Sequence, residues 1–152
     1  MANFDTFLQG AVSTASNWEG YLLKINGVAF PNEYIQVDTY KTTPDQRTEI
    51  GSYVDANGKL KRPNVLKHTR TKTEFETVSL SLSEKIAIQN FFKSGMTNEL
   101  KREVTCTYWN DEKNEYCTGS FYMPDTEFNI KRLDKSSLIP TYAPIRICII
   151  EN

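Results

Sequence analysis

The sequence has a single histidine, only three cysteines and no long apolar run. With one imidazole, any Ser-His-Asp or Cys-His site must be built on His68. That residue sits in the basic, polar run Lys67-His68-Thr69-Arg70, a poor place to hold an oriented base. Cys106, Cys117 and Cys148 lack Cys-x-x-Cys spacing and make no zinc pattern with one histidine. They stand in apolar or alternating segments and read as reduced, buried thiols of a chain made in a cytoplasm. The glycines build no phosphate cradle, since GxGxxG and GxxxxGK are both absent. The carboxylate pairs Glu74/Glu76 and Glu112/Glu115 lie in polar settings, which would not split their pKa values as a glycosidase pair requires. The N-terminus has neither a basic n-region nor a long apolar h-region, and nothing in the chain approaches a membrane span. The expectation is a chain with no catalytic residue, no metal, no cofactor and no membrane segment.

What is present points to a β-rich domain with extensions. The 152 residues are the size of one ordinary domain, and aromatics, mostly Tyr and Phe, reach 12%. Apolar content is 39% and mean hydropathy is −0.51, modest for a compact monomer and suited to a domain with long polar extensions. The net charge of −1 hides a polarity. Residues 41–72 hold eight basic side chains against three acidic, whereas the stretches on either side are acidic. In identical subunits the basic excursion of one could meet the acidic body of the next, or the excursion could be a solvated loop. The basic residues Lys59, Lys61, Arg62, Lys67, Arg70 and Lys72 have no interleaved aromatic platform and no nucleic-acid-binding motif, so no specific nucleic-acid binding is expected.

Residues 1–19 stand apart as an N-terminal arm. Phe4, Phe7, Leu8, Ala11, Val12 and Ala15 recur at helical spacing. An isolated helix this short is marginal in water, so the arm either docks on its own body or reaches a neighbour. Residues 20–152 read as a single β-rich domain. It opens with a short strand over 21–25, an Asn26-Gly27 turn and a return over 28–30. From about 33 to 80 the pattern predicts one long β-hairpin excursion, with 41–70 as its extended hairpin or loop. Its incoming strand covers 33–40, with Ile35, Val37 and Thr39 inward. Its turn is Asp55-Ala56-Asn57-Gly58-Lys59, where Asn57-Gly58 signals a type I′ geometry. Ile50, Tyr53 and Val54 are candidate anchors. Its outgoing strand over 69–80 looks polar on both faces, so it needs a paired strand, a neighbouring subunit or an aqueous channel.

Ser81-Leu82-Ser83-Glu84 matches a capping box and opens the one good helix, about 82–94, with Ile88, Phe91 and Phe92 together and Gly95 at its C-terminal stop. Four strands follow. The first, 102–109, alternates with Val104, Cys106 and Tyr108 on one face. An acidic turn over 110–114 returns it as 116–123. A third strand over 127–133 is read with Phe128 and Ile130 inward. A loop over 134–143 then precedes the apolar terminal strand 145–150, expected to be central or well covered. The fold class is α+β, mainly β: a β-sandwich or barrel with one packed helix.

The run Tyr21-Leu22-Leu23-Lys24-Ile25-Asn26-Gly27-Val28-Ala29-Phe30-Pro31 resembles the opening of small proteins encoded in the tail-gene clusters of tailed phages and prophages of Gram-positive bacteria. In those proteins a threonine- and charge-rich strand leads into a short helix. An aromatic strand, an acidic turn and a TG-x-F-Y segment follow, the last being Thr118-Gly119-Ser120-Phe121-Tyr122 here. The likeness covers roughly residues 20–151, by order of elements more than by identity. The chain departs from it by its first 19 residues and by a longer 41–70 excursion. The resemblance implies a virion structural protein with the tail-tube fold shared by tube subunits, distal-tail proteins and baseplate hub domains. It would be assembled in the host cytoplasm into rings, typically hexameric, that contact neighbouring tail proteins. On that reading the interface residues are Phe4, Phe7 and Leu8 in the arm and Tyr53, Asn57, Gly58, Lys59, Arg62 and Arg70 on the excursion. If the ring is a conduit, Thr71, Thr73 and Glu74 could line it. The alternative is a tail-tip module that recognises a host surface glycan or protein through exposed Tyr residues and Trp109.

Overall fold

The computed structural model describes residues 17–62 and 64–152. Among the described residues the chain is mainly β, with one α-helix and antiparallel sheets. Strands β1 (Leu23–Ile25) and β2 (Val28–Ala29) form a hairpin closed by Asn26 at φ 49° and Gly27 at φ 81°. That pair of left-handed residues is what a type I′ turn demands. The strand expected over 33–40 is not formed. In its place two 3-10 turns, Asn32–Tyr34 and Val37–Thr39, follow Pro31. The Thr39 hydroxyl donates to the Gln36 carbonyl oxygen (2.6 Å) and the Gln36 amide to the Thr77 carbonyl oxygen (2.8 Å), local bonds that compete with a ladder. Of the residues expected inward only Ile35 is buried, bridging to Thr77, and Val37 is exposed; Tyr34 and Tyr40, expected on the other face, pack against the core instead.

The strand begins later, as β3 (Lys41–Gln46). Pro44 and a left-handed Asp45 (φ 50°) are tolerated there because β3 is the outer strand of its sheet and carries a bulge. The chain continues through β4 (Glu49–Ile50), β5 (Tyr53–Val54), β6 (Leu60–Lys61), β7 (Asn64–Val65) and β8 (Arg70–Glu76). Next come β9 (Leu80–Ser81), helix α1 (Leu82–Ser94) and β10 (Met96–Asn98). The chain ends with β11 (Glu103–Asn110), β12 (Glu115–Tyr122), β13 (Ile130–Leu133), β14 (Pro140–Tyr142) and β15 (Arg146–Glu151).

The main sheet runs β2-β1-β11-β12-β15-β8-β3, with β10 also on β11. Its two halves are joined by only two residue pairs between β12 and β15, Phe121 with Glu151 and Tyr122 with Ile150. The Thr71 hydroxyl on β8 nevertheless lies 2.9 Å from the Tyr108 hydroxyl on β11. Three strand steps would hold them about 14 Å apart in a flat sheet. The sheet therefore folds on itself and its inner faces meet across the core, as in a sandwich. It is not a closed barrel, because the outer strands β2 and β3 do not pair.

Leu23, Ile25, Val104, Cys106, Phe121 and Ile149 fill that core. The alternation of β11 holds along its whole length, and the terminal β15 is central, between β12 and β8. Strand β8 is not polar on both faces. Thr71, Thr73 and Phe75 all face inward and are buried, so Thr71 and Thr73 cannot line a conduit. Glu74, on the outer face, is held by Lys41 and Arg146. The assignment for Ile130 is also overturned: among the described residues β13 pairs only with β14 in a small sheet, β13-β14-β9, and Ile130 is 58% exposed, while Phe128 precedes that strand and is half-buried, with the Lys85 ammonium over its ring.

The capping box of α1 is complete: the Ser81 hydroxyl accepts from the Glu84 N–H (3.3 Å) and the Glu84 carboxylate from the Ser81 N–H (3.1 Å). Ile88 and Phe92 are buried, and Phe91 and Phe92 both pack on Phe30 with ring centroids 5.5 Å apart. Gly95 ends the helix at φ −89°, so no left-handed residue is involved. Its lack of a side chain matters for another reason: a Cβ there would lie 2.5 Å from Ile25 Cγ2. The three thiols are free, but only Cys106 is fully buried, and burial pushes it up to about 12.

Candidate assembly surface

The hairpin arm is built outward from β3 and β8. Those two strands pair from Lys41 with Glu74 to Gln46 with Arg70, and the ladder continues as β4 with β7 and β5 with β6. Among the described residues these are two separate two-stranded ladders with no further strand beside them. The arm thus starts at Lys41, later than the sequence implies, but it is a single hairpin whose limbs leave and rejoin the body.

Its tip is organised by Asp55. The Oδ1 atom accepts from the Asn57 and Lys59 N–H groups, both at 2.9 Å, and the Asp55 carbonyl oxygen accepts from the Gly58 N–H at 3.0 Å. Gly58 is left-handed at φ 77° and Asn57 is not. The turn is therefore a wider loop ending in one left-handed glycine, not type I′. The Asp55 carboxylate outcompetes the Asn-Gly preference by capping two amides. Lower on the arm, Glu49 accepts from the Ser52 hydroxyl (2.7 Å) and pairs with Arg62. These contacts, the Ser52 bond foremost, hold its carboxyl below the usual range.

The surface of the arm is apolar and basic together. Ile50, Tyr53, Val54, Leu60, Val65 and Leu66 are 40% to 64% exposed. Val54 lies opposite Leu60 and Tyr53 opposite Lys61, so each pair shares a face and the two pairs face opposite ways. Arg47 bridges to Glu112 (3.2 Å) and Lys61 to Asp55 (3.6 Å), while Lys59 and Lys67 make no ion pair among the described residues. Of the interface residues read from sequence, Tyr53, Asn57, Gly58, Lys59 and Arg62 come together on the distal arm. Arg70 stands apart, at the base. Phe4, Phe7 and Leu8 lie outside the described residues. Leu60, Val65 and Leu66 were missed; pairing the limbs outward from the turn at 55–59 was the signal that could have found them.

A second feature was legible only in part. Trp109 and Tyr116 are cross-strand partners at the end of β11 and β12. The Trp18 ring meets both, edge-on to Trp109 (5.1 Å) and stacked on Tyr116 (5.9 Å), and Tyr21 stacks on Tyr116 at 4.3 Å. The Tyr116 hydroxyl donates to the Tyr21 carbonyl oxygen (2.9 Å) and accepts from the Glu19 N–H (3.1 Å), which pins residues 18–21 to the sheet. His68 donates from Nε2 to the Asn152 carbonyl oxygen at 2.8 Å. Among the described residues no group of three His, Cys, Asp or Glu side chains could hold a metal, and no helix is long and apolar enough to cross a membrane.

One family model matches residues 16–152, described as a family of unknown function (DUF6711). No curated protein and no solved structure matches the chain.

Proposed function

The chain belongs to that family over nearly its whole length, and we propose that it is a structural subunit of a phage or prophage tail (a tube, distal-tail or baseplate component). It self-assembles into rings through its hairpin arm and N-terminal segment, acts in the virion after assembly in the host cytoplasm, and performs no catalysis. The observation that carries this reading is the distal arm. A two-stranded ribbon with no sheet beneath it is marginal in water. This one exposes six large apolar side chains, a composition that gains from docking. The tail assignment draws on the ordered motifs, from Leu23-Lys24-Ile25-Asn26-Gly27-Val28 to Thr118-Gly119-Ser120-Phe121-Tyr122. Lys59 and Lys67 supply a positive pole for an acidic neighbour, and contact between unlike surfaces closes rings rather than dimers.

Size-exclusion chromatography with light scattering across a concentration series, with negative-stain images of the same fractions, tests this reading. Rings or tubes are expected. A monomer at every concentration would remove self-assembly from the proposal. The aromatic cluster favours a second reading, a tail-tip module for a host surface glycan or protein, because Trp18 leaves 43% of its surface free beside Trp109 and Tyr116. Binding to host cells that Trp18→Ala abolishes, in a chain that does not self-assemble, would select it.

A further inference from the structure

The connection between β12 and β13 is held at both ends and open in the middle. The Met123 N–H donates to the Arg102 carbonyl oxygen (3.0 Å), and Arg102 Nε donates back to the Met123 carbonyl oxygen (2.8 Å). At the far end the Ala143 N–H donates to the Asn129 carbonyl oxygen (2.9 Å). Between these anchors residues 124–128 run without a turn or bend, and among the described residues their backbone makes no hydrogen bond. A fixed, extended run of open N–H and C=O groups is a template for a further strand.

A groove of about 530 Å³ separates this segment from α1. Ile88, Phe92 and Met123, all buried, give it an apolar floor. Lys85, Gln89 and Lys93 follow one another at four-residue spacing and form its rim along the helix. The Lys85 ammonium is held there by two rings, 4.9 Å from the Phe128 centroid and 5.1 Å from that of Tyr142. The two walls match in length. The helix rises about 12 Å from Lys85 to Lys93, and an extended chain covers about 13 Å from residue 124 to 128.

We infer that this groove takes an extended peptide segment of a partner protein, laid as a strand beside residues 124–128, with apolar side chains on the floor and acidic ones toward Lys85 and Lys93. The open backbone selects a strand, because only another main chain satisfies a row of alternating donors and acceptors. The floor selects the alternation, since every second side chain of a strand points the same way. The rim selects the sign. Lys85, Lys93 and Arg102 stand against Glu99 and Asp125, and none of the five makes an ion pair among the described residues. Carboxylates on the incoming strand would give the two lysines charge-assisted partners. The hairpin arm of a second copy, with Lys59, Lys61, Arg62 and Lys67, repeats the sign of that rim and is the wrong occupant. The site is separate from the arm, so it stands whether or not the chain forms rings.

The test is fluorescence anisotropy on the full-length chain with a labelled hexapeptide of alternating leucine and glutamate. Saturable binding is expected. It should weaken about tenfold when lysine replaces glutamate in the probe, and about tenfold when alternate backbone nitrogens of the probe are methylated. Amide exchange at residues 125–128 should slow when the probe is bound. Lys93→Glu, on the exposed side of α1, should reverse the preference between acidic and basic probes, and Phe128→Ala should weaken both. Circular dichroism melts establish that the two variants fold. Absence of binding overturns the proposal, as does a preference that Lys93→Glu leaves unchanged. Equal binding of the methylated probe would mean that the groove takes apolar groups without strand pairing, an amphiphile rather than a peptide strand. Binding that disappears as the chain self-associates would make a second copy the occupant and overturn it too.

Discussion

At the scale of single residues, two positions make the packing and the electrostatics testable. Gly95 sits where the end of α1 crosses β1, and Ile25 opposite is 2% exposed and cannot swing away. Gly95→Ala puts a methyl 2.5 Å from Ile25 Cγ2 with no backbone strain to blame, since φ is −89°. The expected loss is about 1–3 kcal/mol, the usual cost of overpacking, read as a lower urea midpoint at unchanged slope. Glu74 tests the outer face of β8. Arg146 first, then Lys41, holds its carboxyl below the usual range. A carboxyl depressed in the folded state contributes stability that is fully present above its unfolded pKa, about 4.3, and is lost as pH falls through the folded value. Glu74→Gln should therefore destabilise the protein at neutral pH and flatten the acid limb of its stability curve. Urea melts between pH 3 and pH 7 check this, and an unchanged acid limb would show that the ion pairs are idle.

At the scale of elements, the arm separates assembly from folding. Val54 and Leu60 share one face of the β5–β6 ribbon and touch nothing that the core depends on. The double substitution Val54→Lys with Leu60→Lys should abolish oligomers while moving stability by no more than about 0.5 kcal/mol, as surface changes do. Light scattering and a urea melt on the same sample decide it. The elements legible in the sequence were those whose signal is local: the Ser81–Glu84 capping box, the alternation of Val104, Cys106 and Tyr108, the Asn26-Gly27 turn and the apolar run of β15. The rest were decided by distant partners. Thr71 reads as polar until Tyr108 supplies a hydroxyl across the fold, so the strand looked polar on both faces, and of the partners it was expected to need, a paired strand on each side is what it has. Ile130 alternates correctly, but its strand pairs with β14, away from the main sheet. Asn57-Gly58 has the chemistry of a tight turn, and the Asp55 side chain chose another. The candidate surface followed the same rule. Tyr53 and the tip residues were legible from the turn, whereas Leu60, Val65 and Leu66 needed the pairing of the two limbs.

At the scale of the whole molecule, the fold has a direction. The aromatic anchor of residues 18–21 and the base of the arm lie at one end of β11, and the groove and the outward β13–β14 hairpin lie away from it. Unlike surfaces at opposite ends suit repeated, same-sense contact between copies rather than a two-fold dimer. The described core runs from Leu23 to Ile149, and the Trp18 contacts on Tyr116 lie inside the described residues. Deleting residues 1–16 should therefore leave the unfolding midpoint nearly unchanged while oligomers become scarcer at every concentration. Circular dichroism melts beside light scattering separate the cases. Loss of both fold and assembly would make the segment part of the domain, whereas full assembly without it would leave the arm as the sole contact. A folded chain that assembles poorly is the outcome that a separate docking segment requires.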